Sequence, residues 1–204
     1  FVGIDVHKAI VENLYKNTND YSHDTFILPE FVRKLIIEGK VGKKAGVGLY
    51  KTVVQDSGFK CYQVYDIEHG YYREQMRYAF PFVEEMITSL TGGDYEDAFH
   101  ALMENQSAEA RLCCEFLLKY IVYSLSAAKE LGCRESAADD VMATGFHWCP
   151  PLAMLEAFST VVDFIKLCEE RLDGKIVDVI KEQNLLGNIP KSRYDYRRLV
   201  LAKK

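Results

Sequence analysis

No run of roughly 18 apolar residues occurs in this sequence, so no segment reads as a membrane-spanning helix. The opening residues, Phe1-Val2-Gly3-Ile4-Asp5, hold no initiator methionine and lack the pattern of a secretory leader. The six cysteines, at 61, 113, 114, 133, 149 and 168, form no Cys-x-x-Cys pair and no regular framework. That argues against zinc and disulfide motifs and leaves reduced thiols, no metal and a cytoplasmic chain as the expectation. Cys113 and Cys114 adjoin inside an apolar helical pattern and read as small core residues. Nor is there an excess of positive charge: 25 Lys and Arg against 30 Asp and Glu give a formal charge of −5. The whole chain therefore offers no reason to expect nucleic acid or an anionic membrane as partner.

What is present is mainly helical periodicity. "PEFVRKLIIEGK" places Phe31, Leu35 and Ile36 on one side, with Pro29 suited to the first turn and Gly39 to the stop. The strongest pattern is "SAEARLCCEFLLKYIVYSLSAAKELG", where Leu112, Phe116, Tyr120, Ser124, Ala127 and Leu131 follow helical steps up to Gly132. "ESAADDVMATG" predicts a shorter helix ending at Gly145, and "PPLAMLEAFSTVVDFIKLCEERLDG" one long helix running towards Gly174. "YREQMRYAFPFVEEMITSL" predicts a helix kinked or split at Pro81, and "DYEDAFHALMENQ" another capped by Asp94. Only "YKTVVQDSGFKCYQVYD" looks extended, as a short hairpin or connector around Ser57-Gly58. The fold class expected is all-α.

Charge is unevenly spread. Arg33 to Lys51 carries six basic residues against one acid, Asp66 to Glu115 eleven acids against three arginines, and Lys191 to Lys204 six basic residues against Asp195. The first basic stretch contains "EGKVGKKAGVGLYK", with four lysines and four glycines. It is not a Walker loop, because Lys44 and Val47 stand where the second glycine would follow Gly39 and Gly42. It is not a dinucleotide fingerprint either: Lys51 replaces the third glycine after Gly46-Val47-Gly48, and a helix precedes it instead of a strand. A helix C-terminus followed by a turn is what remains physically. The lysines near the negative end of the helix dipole are stabilising in themselves.

The chain also carries internal likeness. "FVGIDVHKAIVENLY" from Phe1 resembles "FSTVVDFIKLCEERL" from Phe158, and "FVRKLIIEGKVG" at 31–42 resembles "IVDVIKEQNLLG" at 176–187. Each half then reaches an aromatic-basic stretch, "GLYK" at 48–51 and "RYDYRR" at 193–198. Two copies of one helical unit are expected, the first starting in mid-repeat, as in the C-terminal part of a longer protein. The boundaries expected are a truncated first repeat at 1–58, a connector with inserted helices at 59–106, and a second repeat at 107–204.

These residues resemble the C-terminal helical domain of the L-3-hydroxyacyl-CoA dehydrogenase family. Gly3-Ile4-Asp5, the helix ending at Gly39, and Gly42-Lys43-Lys44-Ala45-Gly46-Val47-Gly48-Leu49-Tyr50 fill that family's pattern, with Leu49 where Phe is commoner. In the second half, "DDVMATGFHWCPPLAMLEAF" resembles the same domain's repeat in longer relatives. Asp139, Met142, Gly145 and Phe146 hold its first segment, Pro150-Pro151 the turn, and Glu156 stands where Asp is commoner. The second copy of the glycine-lysine turn has decayed to "GNIPKSRYDYRR".

The resemblance implies two tandem helical repeats packed as in the C-terminal part of 6-phosphogluconate dehydrogenases. It implies the substrate-side and oligomerisation part of an enzyme that oxidises 3-hydroxyacyl-CoA to 3-oxoacyl-CoA in fatty-acid β-oxidation. NAD would sit on a Rossmann domain upstream, together with the catalytic residues, so no catalytic or cofactor-binding residue is carried over. The chain alone would be inactive. Its partners would be the acyl-CoA substrate, the missing N-terminal Rossmann domain and a possible homodimer mate. Lys43, Lys44 and Lys51 are the candidates for contacts to CoA phosphates, whereas Gly42, Gly46, Gly48 and Tyr50 read as fold determinants. The histidines (7, 23, 69, 100 and 147) lack a general acid–base setting; His100 with Glu104 reads as a surface pair, and His147-Trp148 as a packed or interface turn. A non-catalytic helical assembly module is the alternative. A dehydrogenase for small hydroxy acids is a third reading, disfavoured by the tandem arrangement and the turn.

Overall fold

A computed structural model describes residues 2–195; Phe1, the side chain of Tyr95 and the part of the aromatic-basic tail at 196–204 lie outside the described residues. The chain divides into two compact units, Phe1–Tyr78 and Ala79–Lys204.

The first unit opens with α1 (Ile4–Asn17) and α2 (Glu30–Ile37). Pro29 stands at the N-cap of α2, and Val32 and Leu35 form its buried side. The helix stops where Lys40 N–H donates to Leu35 O (2.8 Å) and Gly39 N–H to Ile36 O (3.0 Å), closing its last carbonyls. After the glycine-lysine loop comes an antiparallel three-stranded sheet of β1 (Tyr50–Val54), β2 (Lys60–Tyr65) and β3 (Tyr72–Glu74), in that order. The fold is therefore mostly helical but not all-α. Thr52, Val53 and Val54 favour the pleated backbone, and Gln55 N–H to Phe59 O (2.8 Å) closes the first hairpin. The second turn is gathered by Asp66, whose carboxylate accepts from the His69 backbone and ring and from Arg73 Nε, each at 2.9 Å. Those bonds hold its pKa down at about 2.

The second unit is built from α3 (Pro81–Gly92), α4 (Tyr95–Glu104), α5 (Ala108–Glu130), α6 (Ser136–Asp140), α7 (Pro151–Ser159), α8 (Phe164–Arg171) and α9 (Gly174–Glu182). Its core joins Phe82, Phe99, Leu118, Ile121, Leu152 and Phe158 with their neighbours. α7 is buried on nearly every side, as a helix apolar all round must be. Each fully buried side chain of this kind contributes about 1.5–3 kcal/mol of transfer free energy.

Several expectations are corrected here. Tyr72–Glu74 is a strand, and Pro81 occupies the first turn of α3 instead of kinking a longer helix. Asp94 stands at the N-cap of α4 but makes no side-chain capping bond. The long helix expected over 151–173 is two. The β-branched run Thr160-Val161-Val162 interrupts it, and Asp163 starts α8 by accepting from Lys166 N–H at 3.1 Å. α6 passes into a π-helical turn, Val141–Phe146, which ends at His147 with φ 54° instead of at Gly145. On α5 the expected apolar face is the outer one: Leu112, Phe116 and Leu131 are 68%, 57% and 78% exposed. The buried side is Ala110, Cys114, Leu118, Ile121, Val122 and Leu125. This helix carries two apolar stripes, one packed and one turned outward.

Candidate functional site

The glycine-lysine loop is a closed, cross-bonded structure. Gly42 N–H donates to Val47 O (2.8 Å), Ala45 N–H to Gly42 O (2.9 Å) and Gly46 N–H to Lys43 O (3.0 Å), forming one short 3-10 turn over Lys43–Ala45. Two positions require glycine. Gly42 has φ 124°, and a Cβ on Gly48 would lie 2.6 Å from Gly42 Cα and 2.8 Å from Gly42 N. Ile4 N–H donates to Val41 O (3.0 Å) and ties the start of α1 to the loop. From β3, the Tyr72 hydroxyl donates to Gly48 O at 2.6 Å.

A cleft of about 900 Å³ opens between this loop and one face of the β1–β2 hairpin, lined among others by Lys43, Tyr50, Thr52, Lys60 and Tyr62. The register explains the grouping. Thr52 pairs with Tyr62 and Val54 with Lys60, so Tyr50, Thr52, Lys60 and Tyr62 share one face.

The three lysines proposed from sequence do not gather there. Lys43 lines the cleft. Lys44 Nζ donates to Asp5 Oδ2 at 2.5 Å, a bond that holds the Asp5 carboxyl below its ordinary range. Lys51 alternates to the other sheet face, with its Nζ 5.8 Å from the centre of the Tyr72 ring, which Lys40 also approaches at 5.7 Å. Gly42, Gly46 and Gly48 all line the cleft through their backbone, and Tyr50 lines it with a side chain 59% exposed. Lys60 was missed. Counting alternation back from the Ser57-Gly58 turn is the signal that places it with Tyr50 and Thr52. No ion pair engages Lys60 among the described residues. Among the described residues the cleft is lined by no histidine, cysteine or carboxylate, so the groups it offers are cations, hydroxyls and rings.

The other polar groups are structural. His23 Nδ1 meets Thr18 O at 2.7 Å and its ring stacks on Tyr15. His100 lies 3.9 Å from Glu104 on an exposed face. His147 and Trp148 are both exposed, and Trp148 meets Tyr120 edge-on with ring centres 6.1 Å apart. Burial pushes the thiols of Cys149 and Cys168 up to about 12, which removes them as nucleophiles. No cluster of metal-ligating side chains occurs among the described residues, and none of their helices is long and apolar enough to cross a membrane.

One buried carboxylate had no role in the sequence reading beyond its motif. Asp139, 1% exposed, accepts from Leu152 N–H (2.7 Å) with Oδ1 and from Ser192 Oγ (2.6 Å) with Oδ2. Glu156 Oε1 accepts from Ser192 N–H (2.6 Å), and Asp140 accepts from the Tyr194 hydroxyl (2.8 Å) and pairs with Arg193. Burial raises the Asp139 pKa, partly opposed by its two hydrogen bonds. This carboxylate caps α7, whose own N-cap residue, Pro150, has no side-chain acceptor.

Among curated proteins, the chain is similar to a probable 3-hydroxyacyl-CoA dehydrogenase of Bacillus subtilis (strain 168), 25% identical over 188 residues. The alignment covers 92% of this chain and 23% of that protein, so the chain spans about a quarter of its relative's length. The likeness is distant and partial. No family model matches the chain, and no solved structure matches it.

Proposed function

We propose that this chain is the helical, substrate-side and oligomerisation part of an NAD-dependent 3-hydroxyacyl-CoA dehydrogenase of fatty-acid β-oxidation, working in the cytoplasm. The observation that carries the proposal is the match to a probable enzyme of that activity along 92% of the chain. The closed turn at 42–50 supports it.

The described residues do not fit NAD. Their sheet is antiparallel, and no glycine-rich strand-to-helix turn is present to hold a pyrophosphate. In this reading the dinucleotide and the groups that move the proton and hydride belong to sequence outside these 204 residues. The chain's own part is to hold the acyl-CoA and to meet a second subunit. The outward Leu112 and Phe116 of α5 also suit the alternative of a purely assembling module, which hydrodynamic mass together with CoA-ester binding separates from the first.

Acetoacetyl-CoA-dependent oxidation of NADH tests the proposal. The full gene product that contains these residues is expected to show it and the 204-residue chain is not. Absence of turnover in the full product, or turnover by the chain alone, rejects it.

A further inference from the structure

We propose that the cleft between the glycine-lysine loop and the open face of the β1–β2 hairpin binds the phosphorylated nucleotide end of a ligand: a base and ribose bearing phosphate, as coenzyme A carries. The choice of coenzyme A rests on the function proposed above; the nucleotide class rests on the cleft itself.

Two lysines line this cleft, Lys43 on the loop and Lys60 on β2. Ammonium groups act as point charges for phosphate. Lys60 has no carboxylate partner within the described residues, so an incoming anion displaces nothing from it. Among the described residues no acidic side chain lines the cleft, and Asp5, next to the lining residue Ile4, is paired with Lys44. Tyr50 and Tyr62 stand on the same face, 59% and 60% exposed, where a folded chain gains little from two uncovered rings. Rings beside cations are the elements that hold a flat base next to its phosphates. Thr52, directly opposite Tyr62, adds a hydroxyl. The loop wall is fixed, because Gly42 and Gly48 pack backbone against backbone and Tyr72 holds Gly48 from β3. A preformed wall lowers the ordering that binding requires.

The experiment is calorimetric titration of the 204-residue chain with coenzyme A, 3′-dephospho-coenzyme A, ATP, pantetheine and inorganic phosphate, at low and moderate salt. Saturable binding of coenzyme A that weakens with salt is expected, with pantetheine silent. Lys43→Ala and Lys60→Ala should each weaken it roughly tenfold, as for loss of a charged hydrogen bond. Tyr62→Ala should weaken it by a similar factor through lost stacking. Lys44→Ala and Lys51→Ala, whose side chains are engaged elsewhere, should leave it unchanged. ATP binding as tightly as coenzyme A supports the site and makes free nucleotides its source; a preference for coenzyme A over the dephospho form makes it coenzyme A.

Three results overturn the inference: no binding of any nucleotide, binding unmoved by Lys60→Ala, or equal losses from Lys51→Ala and Lys60→Ala. Binding of acetoacetyl-CoA that pantetheine competes for and nucleotides do not also overturns it, while leaving the proposed dehydrogenase role standing. Failure of the full gene product to oxidise NADH rejects that role and leaves a nucleotide site in place.

Discussion

Replacement of Asp139 removes the acceptor that caps α7 from a distance. In the alanine variant, Leu152 N–H is left without a partner at a residue with no solvent exposure. A stranded buried donor costs about 1–3 kcal/mol, and the lost bond from partly buried Ser192 adds about 1 kcal/mol, so a loss of about 2–4 kcal/mol is expected. Asp139→Asn keeps an oxygen for Leu152 and, with the Ser192 hydroxyl turned round to accept, should stay within about 1 kcal/mol of the parent. The two variants also differ from the parent in pH response. Burial raises the Asp139 pKa in the folded state. Its contribution is therefore most favourable below the ordinary carboxyl range and declines as pH rises through the folded pKa. An amide does not titrate, so the asparagine variant shows no such decline. Urea unfolding followed by the fluorescence of Trp148, the single tryptophan, reads the second unit without assuming that both units unfold together. The alanine variant should lower the urea midpoint by about 1–2 M. A midpoint within about 0.3 M of the parent, or equal losses for the alanine and asparagine variants, refutes the capping role.

Three further substitutions probe the two units. Gly48→Ala drives a Cβ against the Gly42 backbone, at 2.6 Å from its Cα. It should destabilise the first unit by about 1–3 kcal/mol, seen as faster hydrogen exchange of the Gly42 amide; unchanged exchange would mean that the loop does not close on Val47. In the second unit, Phe158 has no exposed surface and meets Phe99 and Phe164 edge-on at 5.2 and 6.1 Å. Phe158→Ala should cost about 3–5 kcal/mol, whereas Phe116→Ala on the outer face of α5 should change stability by no more than about 0.5 kcal/mol. Similar melting temperatures for the two would refute the placing of Phe158 inside the core and of Phe116 outside it.

Two helix stops were legible because their causes are local: those after α2 and α5 fall at Gly39 and Gly132 as the pattern predicts, whereas Asp94 makes no capping bond and the chain stays helical through Gly145. The hairpin at 50–65 was visible as an extended stretch. β3 was not: Tyr72-Arg73-Glu74 suits a helix as well, and its pairing with Gln63, Val64 and Tyr65 decides the matter. The two stripes of α5 could not be ranked, because burial depends on what packs against each. The break before α8 was legible in principle from the β-branched run and the cap residue Asp163. At the cleft, the loop's composition pointed to Lys43. Sorting Lys60 in and Lys51 out requires strand register, which the lysines themselves do not encode. Asp139 stands 53 residues from Ser192, and nothing local to either announces the other.

That separation matters while the protein is being made. Ser192 reaches back to Asp139 and Glu156, and Tyr194 to Asp140. During synthesis the helices from α3 to α9 leave the ribosome before these last partners do. Until Ser192 follows, Asp139 has the Leu152 N–H but not its second donor, so the bonding at the head of α7 is completed only by residues made after all the helices of the unit.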